Sequence, residues 1–236
     1  MGDYVGAREM VDEALQIWQS LDEVGGVAVA LERQGRIALA VGQHQHATAA
    51  FSEARDLFRA LGRASSLVVP IALELAWSLQ AQGDHDRAEA LYEEVLVESR
   101  TLGDSHTVAL ALHGLARLRS AHGDVDRAVT LLHECLSLLG PLRDLRCAPS
   151  CLEELAFVLS DRGAPAAVAR MLSAAEGLRE FRGRPRRRHE QEAHDRATAR
   201  LRLRADEESL NAAWAEGRAM DLDQAVAYAI AEGVPS

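Results

Sequence analysis

The chain contains no lysine: all 26 basic residues are arginine. That excludes a Schiff-base lysine, a phosphate-binding loop ending in Gly-Lys-Ser/Thr and a kinase-type lysine. Aromatic residues are scarce, at 4%. No run of 18 apolar residues exists, so no helix long enough to span a bilayer is encoded. The N-terminus lacks a basic region followed by an apolar core, so no secretion signal is visible. The three cysteines, Cys135, Cys147 and Cys151, are an odd number without metal-ligand spacing. They read as reduced, buried thiols, and a cytoplasmic location is expected. Cys147 and Cys151 stand four apart and could share a helix face.

Within 236 residues, 48% hydrophobic and 26% charged, there is enough apolar material for one large domain or an extended repeat array. Internal repetition decides between them. Gly2, Gly42, Gly83, Gly123 and Gly163 recur at spacings of 40, 41, 40 and 40. Five residues after each stand Ala7, Ala47, Ala88, Ala128 and Val168, and twelve after stand Ala14, Ala54, Val95, Cys135 and Ala175. Seven before stand Gly35, Ala76, Ala116 and Ala156, and eight before stand Gln34, Leu75, Leu115 and Leu155.

This spacing predicts pairs of antiparallel helices. A glycine closes the first helix, because the turn wants a left-handed residue. The following Asp or Gln starts the second helix. Small residues let the two backbones approach, and leucines fill the seam. The apolar residues follow helical spacing, as in Ala88, Leu91, Tyr92, Val95 and Leu96, and strict strand-like alternation is missing. The expected helices are a lone one at 4–22, then 25–41 with 44–61, 67–82 with 85–102, 105–122 with 125–139, and 147–161 with 164–181. Pro70 should sit near the start of its helix, where a missing N–H does no harm.

The pattern resembles the tetratricopeptide repeat in a long form of about 40 residues. The resemblance implies an all-α, right-handed α-solenoid, with an array over 2–182 and a basic linker with C-terminal capping helices over 183–236. In the tail, the run Ala212-Ala213-Trp214-Ala-Glu-Gly217-Arg218-Ala-Met220, followed by Ala225-Val226-Ala-Tyr228-Ala229, is similar to the closing segment of this region in large actinobacterial regulators of the LuxR type. In those proteins a nucleotide-dependent switch domain precedes the array. The lysine-free sequence excludes a switch of the usual kind here, so the resemblance implies only the part that recognises a ligand or partner. The first helix has no predecessor to pack on. It is either a natural cap or the start of a C-terminal piece of something longer, and the second reading is favoured.

Charge is unevenly spread. Residues 179–204 carry about +6, residues 1–178 about -10, and the remainder about -6. Arg184, Arg186, Arg187 and Arg188 open the basic stretch, while Arg196, Arg200 and Arg204 mark one helical stripe. With an acidic array nearby and hardly an aromatic interleaved, nucleic acid is not the favoured partner. Helices at about 207–219 and 222–231 are expected, the latter starting on an Asp221/Gln224 capping box. Trp214 is expected to pack the last helices onto the array.

In a stacked array the first helices line the concave face. The positions 10, 6 and 3 before the turn glycine are Glu32, Arg36 and Leu39; Leu73, Trp77 and Gln80; His113, Arg117 and Ser120; Glu153, Phe157 and Ser160. Aromatic residues alternating with arginine form a composition suited to recognition, and arginine can clamp a carboxylate. Alternatively, Trp77 and Phe157 fill the interior and the arginines pair with Glu32 and Glu153. The expected partner is a peptide or protein, or alternatively a small anionic metabolite held by Arg36 and Arg117. An enzyme built on His113, Glu153 and Arg117 is a third reading. No catalytic residue, cofactor or metal is assigned: His44 and His46 lack a third ligand, His189 and His194 are five apart rather than four, and no nucleophile elbow occurs. The open first helix makes a homo-oligomer conceivable.

Overall fold

A chain rich in Ala, Leu and Arg, with glycine concentrated at the repeat boundaries, has little that resists helix formation. The structure is a computed structural model that describes residues 4–162, 164–183, 186 and 188–232. Side chains of residues 188–190 are not among those described. The helices are α1 (Tyr4–Ser20), α2 (Val24–Ala40), α3 (His44–Ala60), α4 (Ser65–Ala81), α5 (His85–Leu102) and α6 (Ser105–Ala121). They continue with α7 (Val125–Leu139), α8 (Ala148–Leu159), α9 (Pro165–Phe181), α10 (Arg188–Arg204), α11 (Glu207–Arg218) and α12 (Leu222–Glu232). No strand occurs among the described residues. The fold is an all-α solenoid of helix pairs.

The turn chemistry follows the sequence. Gly42, Gly83 and Gly123 have φ of 79°, 83° and 79°, the left-handed conformation that ends a helix without a Cβ penalty. Gly2 and Gly163, the other two repeat glycines, lie outside the described residues. Asp84 and Asp124 then cap α5 and α7, accepting from the backbone N–H of Arg87 and Arg127. Asp221 and Gln224 form a reciprocal capping box ahead of α12, with bonds of 3.0 and 2.9 Å. One expectation needs correction. Helix α4 begins at Ser65, so Pro70 lies inside it rather than at its start. The ring there leaves the Ser66 carbonyl without its helical donor.

The chain divides into two compact units, residues 1–111 and 112–236. In the first, α2 packs on both α1 and α3, and α4 on both α3 and α5. Its core is made of Ala28, Leu31, Ala47, Phe51, Ala54, Phe58, Leu75, Ala76, Tyr92 and Val95. Gly35 shows why small residues mark the seam: a Cβ there would lie 2.7 Å from the Phe51 ring. The ring therefore lies directly on the α2 backbone, and full burial of such a side chain contributes about 1.5–3 kcal/mol. The Tyr92 hydroxyl donates to Gln80 at 2.7 Å, so its buried polar end is satisfied.

In the second unit α7, α8 and α9 pack in sequence, and two terminal helices fold back over them. Helix α11 crosses α9 at very short range. A Cβ on Gly217 would stand 2.2 Å from the Arg170 carbonyl oxygen, and one on Gly177 would stand 3.1 Å from the Arg218 carbonyl oxygen. Helix α12 touches α7, α8 and α9. Trp214 meets His194 of α10 edge-on, with ring centroids 5.9 Å apart. Arg170 of α9 bonds Glu216 of α11 and lies over the Tyr228 ring of α12. The distinctive tail residues thus bind α9, α10, α11 and α12 to one another.

Gly217→Ala should therefore lower stability by about 1–3 kcal/mol, the cost of overpacking against backbone that cannot yield. Urea unfolding followed by circular dichroism checks this. Gly42→Ala meets nothing within 4 Å and should cost only about 1 kcal/mol, through its positive φ.

Candidate functional site

The first-helix residues singled out in the sequence do not share one environment. Leu73 is buried in the first unit and Glu153 in the second, so neither is a solvent-facing position. Glu32, Leu39, Trp77, Gln80, His113, Ser120 and Phe157 are half-buried, while Arg36 and Arg117 are exposed. Ser160 is buried, and its carbonyl accepts from Arg204.

In the first unit Arg36 forms an ion pair with Glu32, one turn before it, at 2.9 Å. It also faces Glu74 of α4. Burial pushes the Glu74 carboxyl above its ordinary range, Arg36 opposes that shift and Glu32 reinforces it. Trp77 stands one turn beyond Glu74 on the same helix. In the second unit the arrangement recurs. Arg117 of α6 approaches Glu154 of α8 at 3.9 Å. Burial raises the Glu154 carboxyl too, with Arg117 opposing and Glu153 reinforcing. Phe157 stands one turn beyond Glu154. Each unit therefore holds an arginine, a desolvated carboxyl from the next first helix, and an aromatic ring.

The sequence reading missed both carboxyls, because Glu74 and Glu154 lie nine residues before the turn glycine, between the positions considered. Their recurrence 80 residues apart, in step with Trp77 and Phe157, was the available signal. The two copies also differ. Arg36 has a carboxylate one turn back, whereas Arg117 has His113 there. Burial, aided by Arg117, holds His113 neutral with its pKa pushed down to about 3. Its Nε2 is shielded from solvent and has no hydrogen-bond partner among the described residues.

Glu153 does not join this group. It accepts from Arg179 at 2.7 and 3.2 Å and from Arg186 at 2.7 Å. All three side chains are almost wholly buried. Arg186 reaches on to Glu176 at 3.7 Å, and Arg218 of α11 to Glu176 and Glu180. Part of the basic stretch is thus consumed inside the second unit. Arg184, Pro185 and Arg187 lie outside the described residues, as does the Arg188 side chain. On α10, Arg200 approaches Asp161 at 3.7 Å. His194 is buried beside Arg186, and burial first and Arg186 second lower its pKa.

The cysteines pair differently from the helix-face expectation. Cys135 of α7 and Cys151 of α8 bring their Sγ atoms to 3.3 Å, both buried. Their hydrogen bond and burial push the Cys151 thiol well up. Burial and Asp144 raise Cys147 to about 12. High thiol pKa values leave little reactive thiolate. Among the described residues no three His, Cys, Asp or Glu side chains group as a metal set. A cleft of about 770 Å³, not foreseen from the sequence, opens in the first unit between α1, α2 and α3, with Arg8, Glu9, Asp12, Gln34, His46 and Glu53 along it.

The paired helices define the class of fold: an all-α array of repeated helix pairs. Residues 68–139 match the family described as Tetratricopeptide repeat. The chain is 28% identical over 209 residues to proteins named as HTH-type transcriptional regulators in Mycobacterium bovis and Mycobacterium tuberculosis. The match takes in 88% of this chain and 23% of theirs, so the chain spans about a quarter of the length of these curated relatives. Among solved structures, BtubC from P. vanneervenii superposes with a TM-score of 0.56 at 18% identity, covering 86% of this chain and 92% of that one. A kinesin light chain of Podosopora anserina with nearly identical TPR-like repeats superposes at 0.51 and 22%, covering 87% and 90%. These likenesses establish the fold. No helix among the described residues is long and apolar enough to cross a membrane.

Two outcomes follow. Glu153→Gln should destabilise the second unit by about 3–5 kcal/mol, because Arg179 and Arg186 stay buried without their counter-charge; urea denaturation measures it. His113 has a folded pKa below its unfolded value, so its contribution is intact above about pH 6.5 and is lost as pH falls towards 3. The urea midpoint should therefore drop between pH 6.5 and 4, and His113→Leu should flatten that drop.

Proposed function

We propose that the chain is the interaction module of a bacterial regulatory protein, and that its first helices bind a peptide or partner protein. The observation that carries this reading is the recurrent trio of half-buried aromatic, exposed arginine and desolvated carboxyl, at Arg36, Glu74 and Trp77 and again at Arg117, Glu154 and Phe157. Rigid aromatic rings flanked by arginine are the usual anchors of an interface, and Glu32, Gln80, His113 and Ser120 add polar contacts at their edges. Leu73 is buried in the first unit and Glu153 in the second, so neither is a contact residue in this reading. The regulator reading rests on the mycobacterial relatives, whose names carry transcriptional regulation. Tetratricopeptide arrays are in general scaffolds for protein contacts, which favours a binding role over a catalytic one. The enzyme reading loses one of its three residues, since Glu153 is committed to Arg179 and Arg186.

A second reading, a small anionic effector, draws on one observation. Arg117 is held only loosely, at 3.9 Å from Glu154, and lies beside a neutral histidine whose Nε2 has no partner among the described residues. An anion would find a cation there that its own neighbours have not neutralised.

Affinity capture with the wild-type chain and with Trp77→Ala/Arg117→Ala tests the first reading. The double variant should lose the captured partner while its melting temperature moves by no more than a few degrees. Unchanged capture by the folded variant would overturn the assignment. For the second reading, a melting shift on adding acidic metabolites should disappear in Arg117→Ala alone.

A further inference from the structure

The repeat brings two thiols together where α7 meets α8. Twelve residues after a turn glycine stand Ala54, Val95 and Cys135, and twelve before the next one stand Ile71, Ala111 and Cys151. All six are buried. In the earlier pairs these places hold Ala, Val or Ile, so packing there requires apolar bulk and nothing more. Between α7 and α8 both places carry sulfur, and the Sγ atoms stand 3.3 Å apart. A disulfide brings its sulfurs to about 2.05 Å, so closure requires an approach of roughly one ångström. The two helices already pack on one another.

Residues 140–147 join these helices, a longer connection than 61–64 or 103–104. Local hydrogen bonds shape it. The Arg143 N–H donates to the Gly140 carbonyl at 2.8 Å, and Asp144 Oδ1 accepts from the N–H groups of Arg146 and Cys147. Arg143 itself has a φ of 49°, an uncommon angle for a residue with a side chain. A bond from Cys135 to Cys151 would close a ring around this joint and restrict the unfolded chain. The third cysteine stands at the end of the joint. Cys147 is half-buried, whereas the pair is fully enclosed. The Cys151 N–H donates to the Cys147 carbonyl at 3.1 Å, which puts Cys147 one turn before Cys151. Of the three thiols it is the one a small oxidant reaches first.

We propose that Cys135 and Cys151 form a peroxide-driven, reversible disulfide that staples α7 to α8 across the 140–147 joint, with Cys147 as the entry thiol. The Cys147 thiolate attacks one oxygen of hydrogen peroxide; the O–O bond breaks, leaving a sulfenic acid on Cys147 and releasing water once the departing hydroxide is protonated. The Cys151 thiolate displaces that hydroxyl, which leaves as water with the proton Cys151 gave up. The Cys135 thiolate then attacks Cys151 Sγ and expels the Cys147 thiolate, which takes up the proton lost by Cys135. In total two thiols are oxidised to one disulfide, and one hydrogen peroxide is reduced to two waters. Burial and Asp144 hold the Cys147 thiol up at about 12, so the first step is slow at neutral pH and the staple answers sustained oxidant. The device lies within the second unit and does not depend on the interaction reading.

The test is to incubate the whole chain with millimolar hydrogen peroxide, alkylate the remaining thiols in denaturant and map disulfides by mass spectrometry. The wild type should yield a peptide pair joined through Cys135 and Cys151, reversed by dithiothreitol. Its unfolding midpoint should rise by several degrees, and hydrogen exchange over 140–147 should slow. Cys147→Ser should form the same link several-fold more slowly. Cys135→Ala should stop at a Cys147–Cys151 link and show no rise in midpoint. Alanine occupies the equivalent places at Ala54 and Ala111, and melting of each variant in reductant confirms that it is folded. The staple is overturned if Cys135 and Cys151 remain free thiols, if either is carried on to a sulfinic acid instead, or if the final wild-type link is Cys147–Cys151 or joins two chains. An unchanged rate in Cys147→Ser overturns the entry role.

Discussion

Two helix backbones come close only where side chains almost vanish, and that constraint organises this protein. The seam in the first unit depends on Gly35 lying under the Phe51 ring. The seam in the second depends on Gly177 and Gly217, which bring the α9 and α11 backbones together. Alanines fill the equivalent places elsewhere, and the large side chains gain their burial by packing around these near contacts. The outward faces follow from it, because the helices can turn one face outward only when the other has a close partner.

The second unit adds a polar constraint to this apolar one. Glu153, Arg179 and Arg186 are buried together, and the desolvation of three charges is tolerable only because each answers another. Arginine suits the role: its planar fork donates twice to one carboxylate, which a lysine ammonium cannot match geometrically. The arginine-only composition thus acquires a structural use. The same cluster reaches Glu176, and through it Arg218, so the last helices are held by both steric fit and charge.

The architecture was readable in the sequence because it is periodic. Five glycines at 40- or 41-residue intervals predicted the pair turns, and the helix limits agree to within two or three residues. The Asp221/Gln224 box was readable because capping is local chemistry. What was not readable depends on residues distant in the chain. Glu153 and Glu154 are neighbours, yet one is enclosed by arginines arriving 26 and 33 residues later, while the other faces Arg117 from 37 residues earlier. Register alone cannot distinguish them. Cys135 and Cys151 likewise meet only because α7 and α8 pack side by side. The start of α4 was misjudged because proline is usually a boundary signal, and the helix continues through Pro70 on the strength of its buried apolar neighbours.

The turn glycines carry one more implication. Gly42, Gly83 and Gly123 have nothing within 4 Å of a hypothetical Cβ, so they satisfy a backbone angle and support no packing. Within the pairs they close, the turn is three residues long each time, at 41–43, 82–84 and 122–124. Between pairs the connection varies freely, from 103–104 through 61–64 to 140–147. Insertions and deletions therefore have somewhere to accumulate. The lineage of such an array can lengthen its joints while each hinge keeps its form, and variation in joint length becomes a record of how successive copies were added.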